Sequence, residues 1–298
     1  MAQTFSIKDT HKNPLTVDDL LLAMDDLLVY NMDAEDVNDI LLAPLDEVDF
    51  LSLGVEGLSG RGFHLCYEDE AYKISFATPS TLADWKLGLD FMKLLAKRLD
   101  SKIENEEGNI YNSDNINYNY LEDISAGLKS LMEQTSNGDN CIILGINHPM
   151  SFNKEMMDSI FAADDPLKAF SLMLTENQNI DAYFVNQQFY KAQEDGKESS
   201  DMLALYTLTQ DLPTILPLKP EVEFEYEDTI DKDKIVGWEV CLIAINGDED
   251  DIDSFETLGY VDYDDFIARL PKSKYKLIDA SYILVDRLDR ADLDALLD

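Results

Sequence analysis

The chain has 298 residues, with 61 Asp and Glu against 23 Lys and Arg, for a formal net charge of −38. A field of that sign disfavours nucleic acids and anionic membrane surfaces as direct ligands, since both are polyanions. Yet 45% of residues are hydrophobic and 10% aromatic, too apolar for a disordered acidic tail, so the chain is expected to fold. A compact body of 33.8 kDa exposes about 13,000 Å², which sets excess charges about 18 Å apart. That spacing exceeds the Debye length of about 8 Å at physiological salt, so the charge permits a stable fold.

The first thirteen residues carry Lys8 and Lys12 without an apolar h-region, so they do not read as a secretory signal. No apolar run is long enough to span a bilayer. Cys66, Cys141 and Cys241 are odd in number, far apart and set in strand-like apolar runs. They read as reduced core thiols in a cytoplasmic protein. The length suits one large or two small domains, and two packed halves are expected, residues 1–120 and 121–298.

In chain order, Thr16 is placed to cap a helix running to about Tyr30, with Asp18 and Asp19 in its first turn. A second helix is expected from Asp33 to Leu42, ending before Pro44. From Asn13 to Gly60 there are twelve carboxylates and no Lys or Arg, the most one-sided stretch of the chain. Phe63 to Tyr67 and Tyr72 to Ala77 read as a hairpin around Glu68, Asp69 and Glu70. Thr81 and Asp84 then fit a capping box opening a helix to about Leu99. That helix and its end carry the one basic island, Lys86, Lys93, Lys97, Arg98 and Lys102. Lys97 and Arg98 suit its C-terminus without any ligand. Contact between this island and an acidic segment would absorb part of the charge.

Residues Asn105 to Tyr120, rich in Asn and Tyr, read as a long loop or boundary. Helices are expected over 122–134, 153–161 and 166–174, with strands at 141–146, 181–186 and 203–208. After Pro213, Pro217 and Pro220, the apolar run Ile235 to Ile245 reads as a strand buried on both faces. An acidic turn at 247–253, a helix near 263–270, a long strand 275–285 and a terminal helix 291–297 follow. Both 62–108 and 234–285 run strand, turn, strand, helix, strand, the pattern a remote internal duplication would leave.

Glu221, Glu223, Glu225 and Glu227 alternate with apolar residues, which would place four carboxylates on one face of a strand. An edge strand guarded by charge explains them; the sharper reading is a docking site for a basic partner. The acidic run Asp248 to Glu256 fails the EF-hand spacing, because Gly247 as the sixth loop residue makes Leu242 the first and Asp253 the twelfth. It reads as a solvated turn, with weak divalent binding as the alternative. His11, His64 and His148 show no H-x-x-x-H spacing. No nucleophile elbow, P-loop or dinucleotide fingerprint occurs, so no catalytic residue, metal ligand or cofactor is assigned.

Thr81-Leu-Ala-Asp84-Trp85, the Lys-rich helix behind it and Ile103 to Gly108 resemble an uncharacterised family of acidic bacterial proteins of about this chain's length. The tail around Leu270-Pro271, Tyr275 to Ala280 and Tyr282 to Leu284 resembles the same family, which carries only a domain-of-unknown-function label. The resemblance implies a cytosolic bacterial protein and brings no catalytic residues. The expected fold is α+β, with mixed or antiparallel sheets covered by helices. The leading functional expectation is a non-enzymatic cytoplasmic protein that binds a basic protein, in the manner of an inhibitor or immunity protein. A hydrolase or metal-assisted enzyme using clustered carboxylates is the second reading, and acidity serving solubility alone is the third.

Overall fold

The computed structural model describes residues 2–32, 37–194, 197–223, 226, 229–248 and 250–297, and the chain divides into the units Met1–Ile180 and Asp181–Asp298. The first contains strands β1 (Ala2–Lys8), β2 (Leu28–Val29), β3 (Leu51–Gly54), β4 (Phe63–Glu68), β5 (Ala71–Ala77), β6 (Ile103–Asn105) and β7 (Ile110–Tyr111). They form one antiparallel sheet in the order β2-β3-β4-β5-β1-β6-β7. The hairpin at its centre is tight because Asp69 and Glu70 both take left-handed φ, 53° and 56°. Such a two-residue turn matches the twist of the flanking strands.

One face of this sheet carries Phe5, Ile7, Leu51, Leu53, Phe63, Leu65, Ile74 and Phe76, all buried. Helix α3 (Leu82–Arg98) packs there through Trp85, Phe91, Met92 and Leu95. Its approach is close: Trp85 stacks on Phe76 with ring centroids 4.1 Å apart, and a Cβ at Gly88 would meet the Phe76 ring at 2.3 Å. A larger residue at 88 would lift the helix off the sheet.

Local signals fixed some elements and lost others. Thr16 does cap α1 (Val17–Leu21), accepting from Asp19 N, but the helix expected to reach Tyr30 stops there. Asp26 takes φ 64°, and Leu28 and Val29 pair with Gly54 and Leu53, so sheet pairing overrides the helical period. The second short helix is α2 (Val37–Leu42), and 33–36 lie outside the described residues. β1, unheralded by any motif, pairs with β5 and β6 at the middle of the sheet.

The expected division at residue 120 falls inside the first unit. β6 and β7 belong to its sheet, and Tyr118 packs edge-on against Phe5 and stacks on Trp85. α4 (Tyr120–Thr135), the hairpin β8 (Cys141–Leu144) and β9 (Pro149–Phe152), α5 (Lys154–Ala162) and α6 (Pro166–Gln178) complete the unit.

The second unit holds β10 (Tyr183–Phe184), β11 (Gln187–Glu194), β12 (Lys197–Thr209), β13 (Thr214–Pro217), β14 (Ile235–Ile245), β15 (Phe255–Asp262), α7 (Tyr263–Arg269), β16 (Tyr275–Leu277), β17 (Tyr282–Val285) and α8 (Arg290–Leu297). Two sheets result, β11-β12-β14-β15 and β10-β13-β17-β16. The pairs β12–β14 and β10–β13 are parallel and the rest antiparallel, so the fold is α+β with mixed sheets, as expected. The single strand expected over 275–285 is a hairpin, turned where Asp279 Oδ1 accepts from Ser281 N and Tyr282 N at 2.8 and 2.7 Å. Both 62–108 and 234–285 are hairpin, helix, strand; β6 returns to the sheet of its hairpin, whereas β16 joins the other sheet. Of the three thiols expected in the core, Cys241 is buried and Cys66 and Cys141 are half-buried.

Candidate interaction surface

The four alternating glutamates were the first candidates. Glu221 and Glu223 do not lie on a strand, and Glu225 and Glu227 lie outside the described residues. The reason is the Gln187 side chain: its Nε2 donates to the Glu221 carbonyl, and its Oε1 accepts from Glu223 N at 3.0 Å. Those two backbone groups are thereby taken by a side chain instead of a ladder. The Tyr206 hydroxyl also donates to the Glu221 carbonyl, at 3.3 Å, and burial holds that phenol well above its usual pKa. Glu221 is exposed and Glu223 half-buried.

In the acidic turn at 248–253, Asp248 and Asp251 turn their carboxylates on the turn's own backbone. Asp248 Oδ1 accepts from Asp250 N at 3.2 Å, and Asp251 Oδ1 from Asp253 N at 3.0 Å. Among the described residues no three or more His, Cys, Asp or Glu side chains are grouped to hold a metal ion.

A buried polar cluster surrounds Asp84, which is fully buried. Its carboxylate accepts from Thr81 N and Thr81 Oγ1 at 3.2 and 2.8 Å, completing the capping box of α3. The same carboxylate accepts from Gly60 N at 3.2 Å and Arg61 N at 2.9 Å. Burial raises the Asp84 pKa, and these donors oppose the rise. Arg61 turns its guanidinium the other way, Nε to the Leu144 carbonyl at 2.7 Å and Nη1 to the Pro79 carbonyl at 2.9 Å. Burial pushes its pKa down to about 10. Beyond it, Gln178 Oε1 accepts from Asn147 N and His148 N at 2.9 and 3.1 Å, and His148 is buried with Nε2 3.2 Å from the Asn177 carbonyl. The Asp84 and Gln178 contacts hold loops against helix ends, and Arg61 ties its loop to the end of β8 and to Pro79, so the cluster works as a set of fasteners.

The acidic stretch 13–60 has a different character. Asp18, Asp25, Asp26, Asp46, Glu47, Asp49 and Glu56 are exposed. Among the described residues, Asp19 is its one carboxylate in an ion pair, 2.8 Å from Arg98. That contact realises the expected link between the basic island and an acidic segment; Arg98 also donates to the Asp19 carbonyl at 2.7 Å, and the Asp19 pKa falls as a result.

Beside those carboxylates the sheet offers apolar surface. The register sets Leu28 opposite Gly54 and Ser52 opposite His64, while Tyr30 N donates to the Ser52 carbonyl at 2.9 Å. Since side chains alternate along a strand, Leu28, Tyr30, Ser52 and His64 share the face opposite the Leu51–Leu53 core, and Phe50 joins them two residues before Ser52. Phe50 and His64 touch, with ring centroids 5.7 Å apart, and Ser52 Oγ lies 3.1 Å from His64 Nδ1. Burial and the Arg61 charge both lower the His64 pKa. The patch is hidden in the sequence because 16–30 carries a helical period throughout; the β-favouring Val29-Tyr30 pair after Asp25-Asp26 is the signal that points to a strand.

No helix among the described residues is long and apolar enough to cross a membrane. A family model described as a domain of unknown function (DUF4299) matches residues 2–296. No curated protein and no solved structure matches the chain.

Proposed function

Because the chain belongs to the DUF4299 family, whose description names no activity, we propose its function from its surface: a non-enzymatic cytoplasmic protein that binds a basic protein partner, as an inhibitor or immunity-type binder does. One observation carries the reading. Twelve carboxylates between residues 13 and 60 meet no Lys or Arg in their own segment, and Asp19 alone of those described is neutralised by an ion pair. Like charges held together oppose folding by self-repulsion, and a cationic surface opposite them removes that cost while steering association. The alternating Glu221, Glu223, Glu225 and Glu227, of which Glu221 is exposed, are the second acidic stretch proposed to bind a basic protein.

The test is affinity capture from the native host at graded salt, followed by calorimetry with the purified captured protein. A basic protein should be retained at low salt, with an affinity that falls steeply as salt rises. Neutralising Asp25, Asp26, Asp46, Glu47 and Asp49 to Asn or Gln should weaken it more than neutralising the four glutamates of 221–227. Recovery of no basic protein at low salt refutes the reading.

A further inference from the structure

We infer that the sheet patch formed by Leu28, Tyr30, Phe50 and His64 is where an arginine-bearing segment of the partner protein docks, an inference that rests on the basic-partner reading and gives it a place. The patch is open: Leu28 is 45% and Phe50 46% exposed. Tyr30 and His64 are half-buried behind them. It sits at the sheet margin, since β2 is the edge strand and only two residues long, so an extended or helical segment can lie along it without displacing a strand.

Charge complementarity selects the occupant. Exposed Asp26 lies two residues before Leu28 and exposed Asp49 immediately precedes Phe50; burial, with the Glu56 and Asp84 charges adding to it, raises the Tyr30 pKa. Burial and the Arg61 charge both favour the neutral form of His64, and Arg61 itself is tied to the Leu144 and Pro79 carbonyls. Lys73 shares this face through its pairing with Cys66 but is held by Ser6 Oγ at 3.3 Å, and an apolar floor with exposed Asp26, Asp49 and Glu56 in its flanking segments fits a segment that is both apolar and cationic. Arginine suits it better than lysine, because its weakly hydrated guanidinium stacks on aromatic rings such as Phe50 while its edge meets carboxylates. A second copy of this chain would bring the same negative rim, and an anionic bilayer would be repelled.

The experiment uses the full chain and two fluorescent peptides of equal charge, one alternating arginine with leucine and the other alternating arginine with glycine. Wild type should bind the leucine peptide about tenfold more tightly, by anisotropy at fixed salt. The double variant Leu28→Ala with Phe50→Ala should lose that preference, its affinity for the leucine peptide falling to the level of the glycine peptide. Leu172→Ala, which trims a side chain 50% exposed on α6, should change neither. Amide-shift mapping on the unmodified chain gives the answer without any variant: shifts should centre on residues 28–30, 50–52 and 64.

Equal affinity for both peptides, or shifts centred on 221–223, overturns this docking site and leaves the basic-partner reading standing. Failure of both peptides to bind at low salt removes this docking site and the basic-partner reading together. A concentration-dependent dimer in sedimentation that Phe50→Ala abolishes assigns the patch to a second copy and overturns the inference.

Discussion

Two buried side chains, Asp84 in the first unit and Gln187 in the second, do the same work with opposite electrostatics. Asp84 holds the loop at Gly60 and Arg61 against the start of α3; Gln187 holds Glu221 and Glu223 against β11 and Tyr206. The carboxylate only accepts, so every one of its partners is a donor, and it acts as the hub of backbone amides and hydroxyls. The amide both donates and accepts, so it brackets a segment through one carbonyl and one N–H without burying a charge. In a chain already at −38, a buried carboxylate is tolerated only where donors converge on it.

Replacing Asp84 with Ala should therefore have the largest effect, a loss of about 3 kcal/mol in urea unfolding, because it removes the capping box and orphans two loop amides. Asp84→Asn, which keeps one accepting oxygen, should fall between. A loss for the Ala variant of less than about 1 kcal/mol would remove Asp84 as the hub. Gln187→Ala should cost about 2 kcal/mol. Gln187→Glu sharpens the comparison: the new carboxylate cannot donate to the Glu221 carbonyl. Its folded pKa would be raised, so the variant should be destabilised at neutral pH and recover as pH falls and the acid regains a proton to donate.

Smaller effects test the surface. Raising NaCl from about 0.01 M to about 0.15 M shortens the screening length from about 30 to about 8 Å, so the melting temperature should rise by a few degrees in calorimetry. A flat response would mean that the exposed carboxylates of 13–60 do not repel one another. Arg98→Gln should cost only about 0.5 kcal/mol at pH 7, since the pair with Asp19 is well exposed and screened. The Asp19 pKa is depressed in the fold, so its stabilisation is present above the ordinary value of about 3.9 and lost as pH falls through the folded value. Wild type and variant should converge in acid.

Local chemistry was legible wherever a few neighbouring residues settle it. The Thr81-Asp84 box, the Thr16 cap and the Asp69-Glu70 hairpin stand where the sequence put them; β14 stands there too, but it is buried only over Val240 to Leu242 and at Ala244, and Val236 is exposed. Long-range pairing was not legible. Leu28 and Val29 look helical until Leu53 and Gly54 are opposite them. Glu221 to Glu223 alternates like a strand, yet Gln187, far back in the chain, takes its backbone groups. The candidate patch falls in the same gap, because its four residues come from three separate segments.

The sequence alone determined the sign and distribution of charge, the class of fold and the family, since composition, capping and period are properties of short windows or simple sums. Tertiary structure alone decided which carboxylate is buried as Asp84 is, which described carboxylates of 13–60 stand outside any ion pair and which apolar side chains lie beside them. Those facts depend on which distant backbones meet, and a hydrogen-bonded register, once chosen, assigns every side chain along a strand to one face or the other.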